Sequence, residues 1–507
     1  MSQPTFFSSR TVRIAALLIL FTAAFAIRLY DLTDPPLDFH PTRQLLSAIK
    51  ARALYYRTNP AGIPQDQRDT GIRQAKLKAQ VEPVILERVV AYTYRFTGEQ
   101  LWVGRVYSSS FWLIGGVFLF LLVRNLLSFD AAIASTAYYL FFPYAVLASR
   151  SFQPDPLMVM LIVAFWWAIA RWVAAHDSPS SSQGAGMRRA ILAGILGGLA
   201  ILIKLTASFF VIGAALGLVL SRFTWRELLR STQVWVMAIL GALPGMIYLV
   251  NGLFIDRGLG SQFSGRFVPA LLINPLNYLQ WMTKVDMATG GIFVMLALLG
   301  FFLTSDRRYR FLMFGLWGGY IVYSLIFNYH AATHDYYQLP FIPIVAVSLG
   351  PLGGWFFARL AEPTVHGSQR SAAYLILILG LFMAVWNVRN QMKTVDFRAA
   401  PVMWSQIGGL IHDRSVVGLL EDYGAELEYW GWRTVPLWPY SGDPKFSRGK
   451  TRATQKEFQE YSSKKDLFLV TDFDEFNRQP ALKEILNKYP VLVNGNGFVI
   501  YDLAAAR

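Results

Sequence analysis

The first long apolar run, Ile14-Ala15-Ala16-Leu17-Leu18-Ile19-Leu20-Phe21-Thr22-Ala23-Ala24-Phe25-Ala26-Ile27, closes at Arg28-Leu29-Tyr30-Asp31, and Asp38-Phe39-His40-Pro41-Thr42-Arg43-Gln44 follows it. Residues 12–30 approach the roughly 20 that a helix needs to cross a bilayer. An acid, a histidine and an arginine then crowd the point where that helix leaves the membrane. Polar groups there are costly unless paired or used. Pro35, Pro36 and Pro41 also allow a plainer reading, a solvated turn. Arg10 and Arg13 ahead of the run imitate a signal peptide, but no small-residue cleavage site follows, so the segment reads as a retained anchor.

Composition extends that reading to the whole chain. Of 507 residues, 54% are hydrophobic and only 16% charged, which excludes an ordinary soluble protein and points to many spans. Fifteen Trp and 24 Tyr suit aromatic belts at the two interfaces. A net charge of +15 is explained by basic cytoplasmic loops and anionic lipid, with no need of nucleic acid. Cysteine is absent, so there is no disulfide framework and no thiol chemistry.

Apolar segments at about 12–30, 103–123, 130–148, 157–175, 190–204, 205–221, 232–251, 287–304, 309–328, 337–358 and 372–389 predict about eleven transmembrane helices. The pair 190–221 is either two short spans or one segment broken at Lys204. With the N-terminus cytoplasmic, one set of loops holds Arg124; Arg171, Arg188 and Arg189; Arg222, Arg226 and Arg230; Arg307, Arg308 and Arg310; and Arg359 and Arg370. The opposite short loops hold few basic residues, as the positive-inside rule requires, and the register works only if 190–221 is two spans. The C-terminus then lies outside.

Two outer segments exceed any connector. Residues 31–102 show helical periodicity over 44–56 and 84–94, which suits interfacial helices. From about 390 the chain reads as soluble α/β structure. Strands are expected at 416–420, 467–471, 491–493 and 498–501, helices at 403–411 and 481–488, and a hairpin at Asn494-Gly495-Asn496-Gly497. The expected organisation is therefore a membrane domain over 1–389 and an extracytoplasmic α/β domain over 390–507. The Ser/Gly-rich 178–186 reads as a cytoplasmic loop.

The candidate chemistry emerges on the outer face. Asp38 and His40 stand at the mouth of the first span. Glu82-Pro83 ends the polar part of the first outer segment, where a helix start explains both residues, or a second carboxylate could hold a metal or a hydroxyl. Gln153-Pro154-Asp155-Pro156 opens the fourth span, and an N-cap alone would account for Asp155. Lys204 interrupts Ile201-Leu202-Ile203 and Leu205. Lys204 lies near the outer end of its span, and a lysine inside a helix costs about 2.5–3.5 kcal/mol on insertion scales, so an anionic partner such as a lipid phosphate explains it better than snorkelling does. His330, His334 and Asp335 follow the ninth span, and Arg266 and Lys284 add positive charge outside. Carboxylates, histidines and phosphate-holding cations on one face suggest phosphoryl-linked chemistry outside the membrane.

These stretches resemble the GT-C membrane glycosyltransferases, in the branch of protein O-mannosyltransferases and aminoarabinose transferases. The resemblance is carried by Arg28-Leu29-Tyr30 through Asp38, Glu82-Pro83 with Trp102-Val103-Gly104-Arg105, Gln153-Pro154-Asp155-Pro156-Leu157, Gly197-Gly198-Leu199-Ala200 to Lys204, and His334-Asp335-Tyr336-Tyr337 with Leu339-Pro340. It implies transfer of a sugar from a polyprenyl-phosphate donor to an extracytoplasmic acceptor, usually with inversion. By that resemblance Asp38 is the base or acceptor-orienting acid, and Asp155 is a second functional acid. Glu82 helps hold metal or acceptor, and Lys204 and Arg266 bind phosphate. His40, Arg43, His330, His334, Asp335 and Tyr336 complete the substrate-binding set. Phe39 stands where the family commonly has Glu. Phe263-Ser264-Gly265-Arg266-Phe267 keeps the Arg but not the His of a metal-binding pattern. A divalent metal would then fall to Glu82 and His40, with His330 or His334 able to substitute. The rival reading is a transporter or flippase of lipid-linked glycans, against which stand the absence of an internal repeat and of charges near the midplane.

Overall fold

The computed structural model describes residues 5–78, 82–176, 183–256, 259–260, 266–441 and 455–505. Residues 178–182 of the Ser/Gly-rich loop and Phe263, Ser264 and Gly265 lie outside them. The chain divides into two compact units: Met1–Leu32 with Ala79–Leu86 and Trp102–Val395, and Thr33–Lys78 with Glu87–Leu101 and Asp396–Arg507.

The first unit is a multi-span helical bundle. Among the described residues seven helices are long and apolar enough to cross a membrane: Arg10–Leu29, Leu101–Leu126, Asp155–Ala175, Gly184–Ile203, Thr232–Ile255, Phe341–Leu360 and Gly367–Lys393. Two bent pairs raise the number to nine, below the eleven expected from hydropathy. Phe129–Phe141 and Pro143–Arg150 meet at 61°, and Pro275–Thr289 and Gly291–Gly300 at 84°. Each bend has a local cause. Pro143 cannot donate to the preceding turn, and Gly290 has φ +71°. All eleven expected segments are helical. Leu205–Leu220 is a shorter apolar helix, however, and Arg307–Ile326 is not among the helices long and apolar enough to count as spans.

Glycines set how closely these helices approach. Gly213 and Gly217 face Gly315 and Gly319 across the Ser208–Leu220 and Arg307–Ile326 pair. A methyl on Gly213 would strike the Gly315 carbonyl oxygen, and one on Gly315 would strike that of Gly213. Two small-xxx-small ridges in apposition let backbones touch where no hydrophobic effect drives helices together. Gly315→Leu is expected to force this pair apart, lowering the thermal midpoint and the yield of folded protein in detergent, whereas Gly318→Leu, where an added Cβ meets nothing within 4 Å, leaves both unchanged.

The second unit combines a four-stranded sheet with helices of the first outer segment. The strands are β1 (Val416–Leu419), β2 (Leu467–Val470), β3 (Val491–Gly495) and β4 (Phe498–Asp502), in the order β1-β2-β4-β3. β1 and β2 are parallel, and the other pairs are antiparallel. The β3–β4 hairpin turns at Asn496-Gly497, with Gly497 at φ +85°. One side of the sheet buries Trp404, Ile407, Leu427 and Phe498, and the other buries Trp438, Phe458, Phe468 and Leu482.

Pro41–Tyr56 is tied into this unit through Arg52. Its Nε donates to Glu99 at 2.7 Å and its Nη1 to the Tyr429 carbonyl at 2.7 Å, while its guanidinium lies 3.7 Å and 4.2 Å from the Tyr429 and Trp432 ring centres. Glu99 also accepts from the Tyr56 and Tyr429 hydroxyls. Removing one partner of such a buried pair costs about 3–5 kcal/mol, so these bonds fix the position of the helix. Ile85–Thr97 leaves Val89, Tyr92 and Phe96 exposed, with Arg95 over the Tyr92 ring, in keeping with the interfacial helix expected there.

Candidate active site

Lys204 is the pivot of the first unit. The helix Gln183–Ile203 stops there, Lys204 adopts an extended backbone (φ −154°, ψ 121°), and a short 3-10 turn, Leu205–Ala207, leads into Ser208–Leu220. The break resolves the segment 190–221 into two helices and releases the Lys204 side chain from both. The side chain remains in the bundle, 9% exposed.

Two carboxylates meet it. Its Nζ donates to Asp155 Oδ1 at 2.8 Å and lies 3.9 Å from Glu82 Oε1. An ammonium carries three N–H donors, and Asp155 engages one of them. Asp155 does not cap its helix. Pro154 occupies the cap position without a side-chain bond, and Asp155 is the first helical residue, 1% exposed. The capping explanation of Gln153-Pro154-Asp155-Pro156 therefore fails, and the ion pair with Lys204 replaces it. Glu82-Pro83 precedes Ile85–Thr97 by two residues, so Pro83 is not the first helical residue.

Aromatic rings and histidines form the opposite wall. The Tyr336 and Tyr337 ring centres each lie 5.5 Å from Lys204 Nζ. Asp335–Gln338 is a 3-10 turn, in which Asp335 Oδ1 accepts from the Tyr336 N–H at 2.8 Å. Tyr144 sits beside Asp335 and Asp155. His330 stacks on His334, with ring centres 5.1 Å apart, and packs 5.0 Å from Tyr337. Burial, then the nearby charges of His334, Arg266 and Lys204, pull the His330 imidazole down to about 3, so it is neutral at ordinary pH. Lys204, Arg266 and His330 therefore share one electrostatic neighbourhood.

The first unit thus brings together Glu82, Asp155, Lys204, Arg266, His330, His334, Asp335 and Tyr336. Three further residues had no role from sequence alone: Tyr144, Tyr337 and Gln153. Tyr337 and Gln153 lie inside stretches that carried the resemblance. Gln153 is 0% exposed, and among the described residues neither its amide nitrogen nor its amide oxygen has a hydrogen-bond partner. Asp155 Oδ2 is likewise buried and unbonded. Buried polar atoms are nearly always satisfied, and these three are not satisfied by the described residues.

Asp38, His40 and Arg43 belong to the second unit. Gln44 orients the Asp38 region: its Nε2 donates to the Phe39 carbonyl at 2.7 Å and approaches Asp38 Oδ1 at 3.4 Å. His40 precedes Pro41, the first residue of Pro41–Tyr56, and takes a left-handed φ of +46° that non-glycine residues rarely adopt. Among the described residues no group of three or more His, Asp or Glu side chains is placed to hold a metal ion. Glu82 Oε1 lies 3.9 Å from the Lys204 ammonium.

Part of the chain matches a family model, and the fold is similar to those of solved structures. Residues 82–249 match the family described as dolichyl-phosphate-mannose-protein mannosyltransferase. The chain is similar in fold to ArnT from Cupriavidus metallidurans, at a TM-score of 0.60 and 15% identity over 97% of this chain and 99% of that one. A structure of that ArnT bound to undecaprenyl phosphate matches at 0.59 and 14%, covering 96% and 97% of the two chains. The oligosaccharyltransferase AglB of Archaeoglobus fulgidus, in complex with an inhibitory peptide and a dolichol-phosphate, matches at 0.56 and 12% over 92% of this chain and 70% of that one. No curated protein sequence matches the chain.

Proposed function

We propose that this protein transfers a sugar from a polyprenyl-phosphate donor to an extracytoplasmic acceptor. The observation that carries the reading is Lys204, a buried ammonium held at a helix break by Asp155 and near Glu82, with Arg266 in the same neighbourhood. The polyprenyl phosphates bound in the ArnT and AglB structures are ligands of this chemistry.

In this reading Lys204 and Arg266 hold the donor phosphate, and Asp155 and Glu82 keep Lys204 in place. Asp38 takes the proton of the acceptor hydroxyl as its oxygen attacks the anomeric carbon, with inversion. The bond from that carbon to the phosphate oxygen breaks, and the fixed cations stabilise the departing polyprenyl phosphate. His330, neutral, adds hydrogen bonding without further charge. Gln153 offers a donor and an acceptor to sugar hydroxyls. Glu82 and His40 remain the donors named for a divalent metal, and no step requires one. The N-terminus is cytoplasmic and the site extracytoplasmic, a reading supported by the basic loops that alternate with the site-bearing ones.

The test is turnover. Purified protein in lipid nanodiscs, given a panel of undecaprenyl-phosphate hexoses and pentoses with envelope lipid and glycan acceptors, should release free undecaprenyl phosphate. Passage of intact donor across a sealed vesicle without release would favour a transporter instead.

A further inference from the structure

Beside the candidate site stands a buried amide that the transfer chemistry above does not use. Asn328 opens the short helix Asn328–Thr333, which carries His330, and it is 2% exposed. Its Nδ2 donates to the Val268 carbonyl at 2.9 Å, and its Oδ1 accepts from the Val268 N–H at 3.2 Å. One side-chain amide thus takes both backbone groups of one residue, the reciprocal pairing that a neighbouring strand residue would make. Val268 is extended, with φ −119° and ψ 97°, which presents its N–H and C=O to the same side. Asn328 Oδ1 also accepts from the Tyr329 N–H at 2.8 Å, so both of its lone pairs are used. Three hydrogen bonds fix this side chain. Asp in its place would lose the donor, and Ser would reach neither backbone group.

The helix that bears Asn328 is itself held from inside the bundle. Gln338, 0% exposed, donates from Nε2 to the Ala331 carbonyl at 2.8 Å and accepts at Oε1 from the Tyr320 hydroxyl at 2.6 Å. The Tyr320 oxygen accepts in turn from the Trp281 indole N–H at 3.0 Å. This chain of bonds joins Pro275–Thr289, Arg307–Ile326, the Asp335–Gln338 turn and Asn328–Thr333. Buried polar networks that are bonded throughout rigidify the core around them.

Arg266 lies two residues before Val268. Two residues of extended chain span at most about 7 Å, so the clamp at Val268 limits where the Arg266 backbone can stand relative to the His330 helix. A guanidinium meets a phosphate through a planar fork of N–H donors, which demands orientation as well as charge. Ordering a long side chain at the moment of binding costs affinity, and fixing its backbone beforehand lowers that cost.

We propose that Asn328 is a positioning residue for Arg266. Its amide clamps the Val268 backbone to the His330-bearing helix and so holds the Arg266 guanidinium where it meets the donor phosphate. The inference rests on the transferase reading in one respect, that Arg266 is a phosphate ligand.

The test titrates full-length protein in detergent with undecaprenyl phosphate and counts bound lipid by native mass spectrometry. Arg266→Ala should weaken binding about tenfold or more, the loss of one charge-assisted contact. Asn328→Ala should weaken it about fivefold with Arg266 still present, the cost of ordering one long side chain on binding. The double variant should bind as Arg266→Ala alone does, because the two residues act through one contact. Amide hydrogen exchange gives a second readout. In Asn328→Ala it should quicken over residues 266–274 and stay parental over 328–338, which Gln338 holds. Asn328→Ser, which leaves a small polar group in the buried position, serves if the alanine variant is too unstable to purify. Parental affinity in the Asn328 variants, losses that add in the double variant, or exchange that quickens equally in both segments would overturn the positioning role while leaving the phosphate role of Arg266 intact. Unchanged affinity in Arg266→Ala would overturn that phosphate role, and the inference with it.

Discussion

Lys204→Ala is expected to lower kcat and kcat/KM for sugar transfer together, by about 10²–10³-fold, the cost of removing one preformed donor aimed at charge that develops in the transition state. Stability should fall as well. Asp155, 1% exposed, would lose the ammonium 2.8 Å away, and removing one partner of a buried pair costs about 3–5 kcal/mol. The two effects are separable. Combining Lys204→Met with Asp155→Asn removes both charges and should recover most of the thermal midpoint lost by Lys204→Ala. Transfer should stay as low as in the single variant, because the phosphate has still lost its cation. If the double variant recovered transfer along with stability, the role of Lys204 would be structural only.

Asp38→Asn separates proton transfer from folding. Asn keeps an oxygen for Gln44 Nε2 and the shape of the side chain, so yield and thermal midpoint should match the parent. It cannot take a proton from the acceptor hydroxyl, and loss of a general base lowers kcat by about 10²–10⁴-fold. Undecaprenyl phosphate should bind as tightly as before, since Lys204 and Arg266 are untouched. Steady-state transfer with a saturating donor, alongside lipid binding, checks both halves. Transfer within about threefold of the parent would remove Asp38 from the base role, because a change of roughly 0.65 kcal/mol is too small for a lost general base.

Much of this was legible in the residues. Mean hydropathy and the Trp and Tyr content were enough for a multi-span membrane protein. Lys204 was recognisable because an isolated cation inside Ile201-Leu202-Ile203 and Leu205 demands an anionic partner. Its immediate partner was not readable. Asp155 lies 49 positions away, and Gln153-Pro154-Asp155-Pro156 also has the pattern of a helix start, so only tertiary structure tells a cap from an ion-pair partner. The expected eleven exceed the nine by two segments, Leu205–Leu220, which is a shorter apolar helix, and Arg307–Ile326. Asn328 escaped notice because its partner is backbone. The Val268 N–H and carbonyl lie 60 positions away, and almost any residue there would offer the same two groups, so nothing in the sequence marks the pairing.

The most direct measurement of the central claim is donor discharge by purified protein in nanodiscs, followed as free undecaprenyl phosphate by thin-layer chromatography or mass spectrometry. The account predicts release that requires an acceptor, is lost in Lys204→Ala, and is lost in Asp38→Asn while the lipid still binds. Release at parental rates in both variants would contradict it.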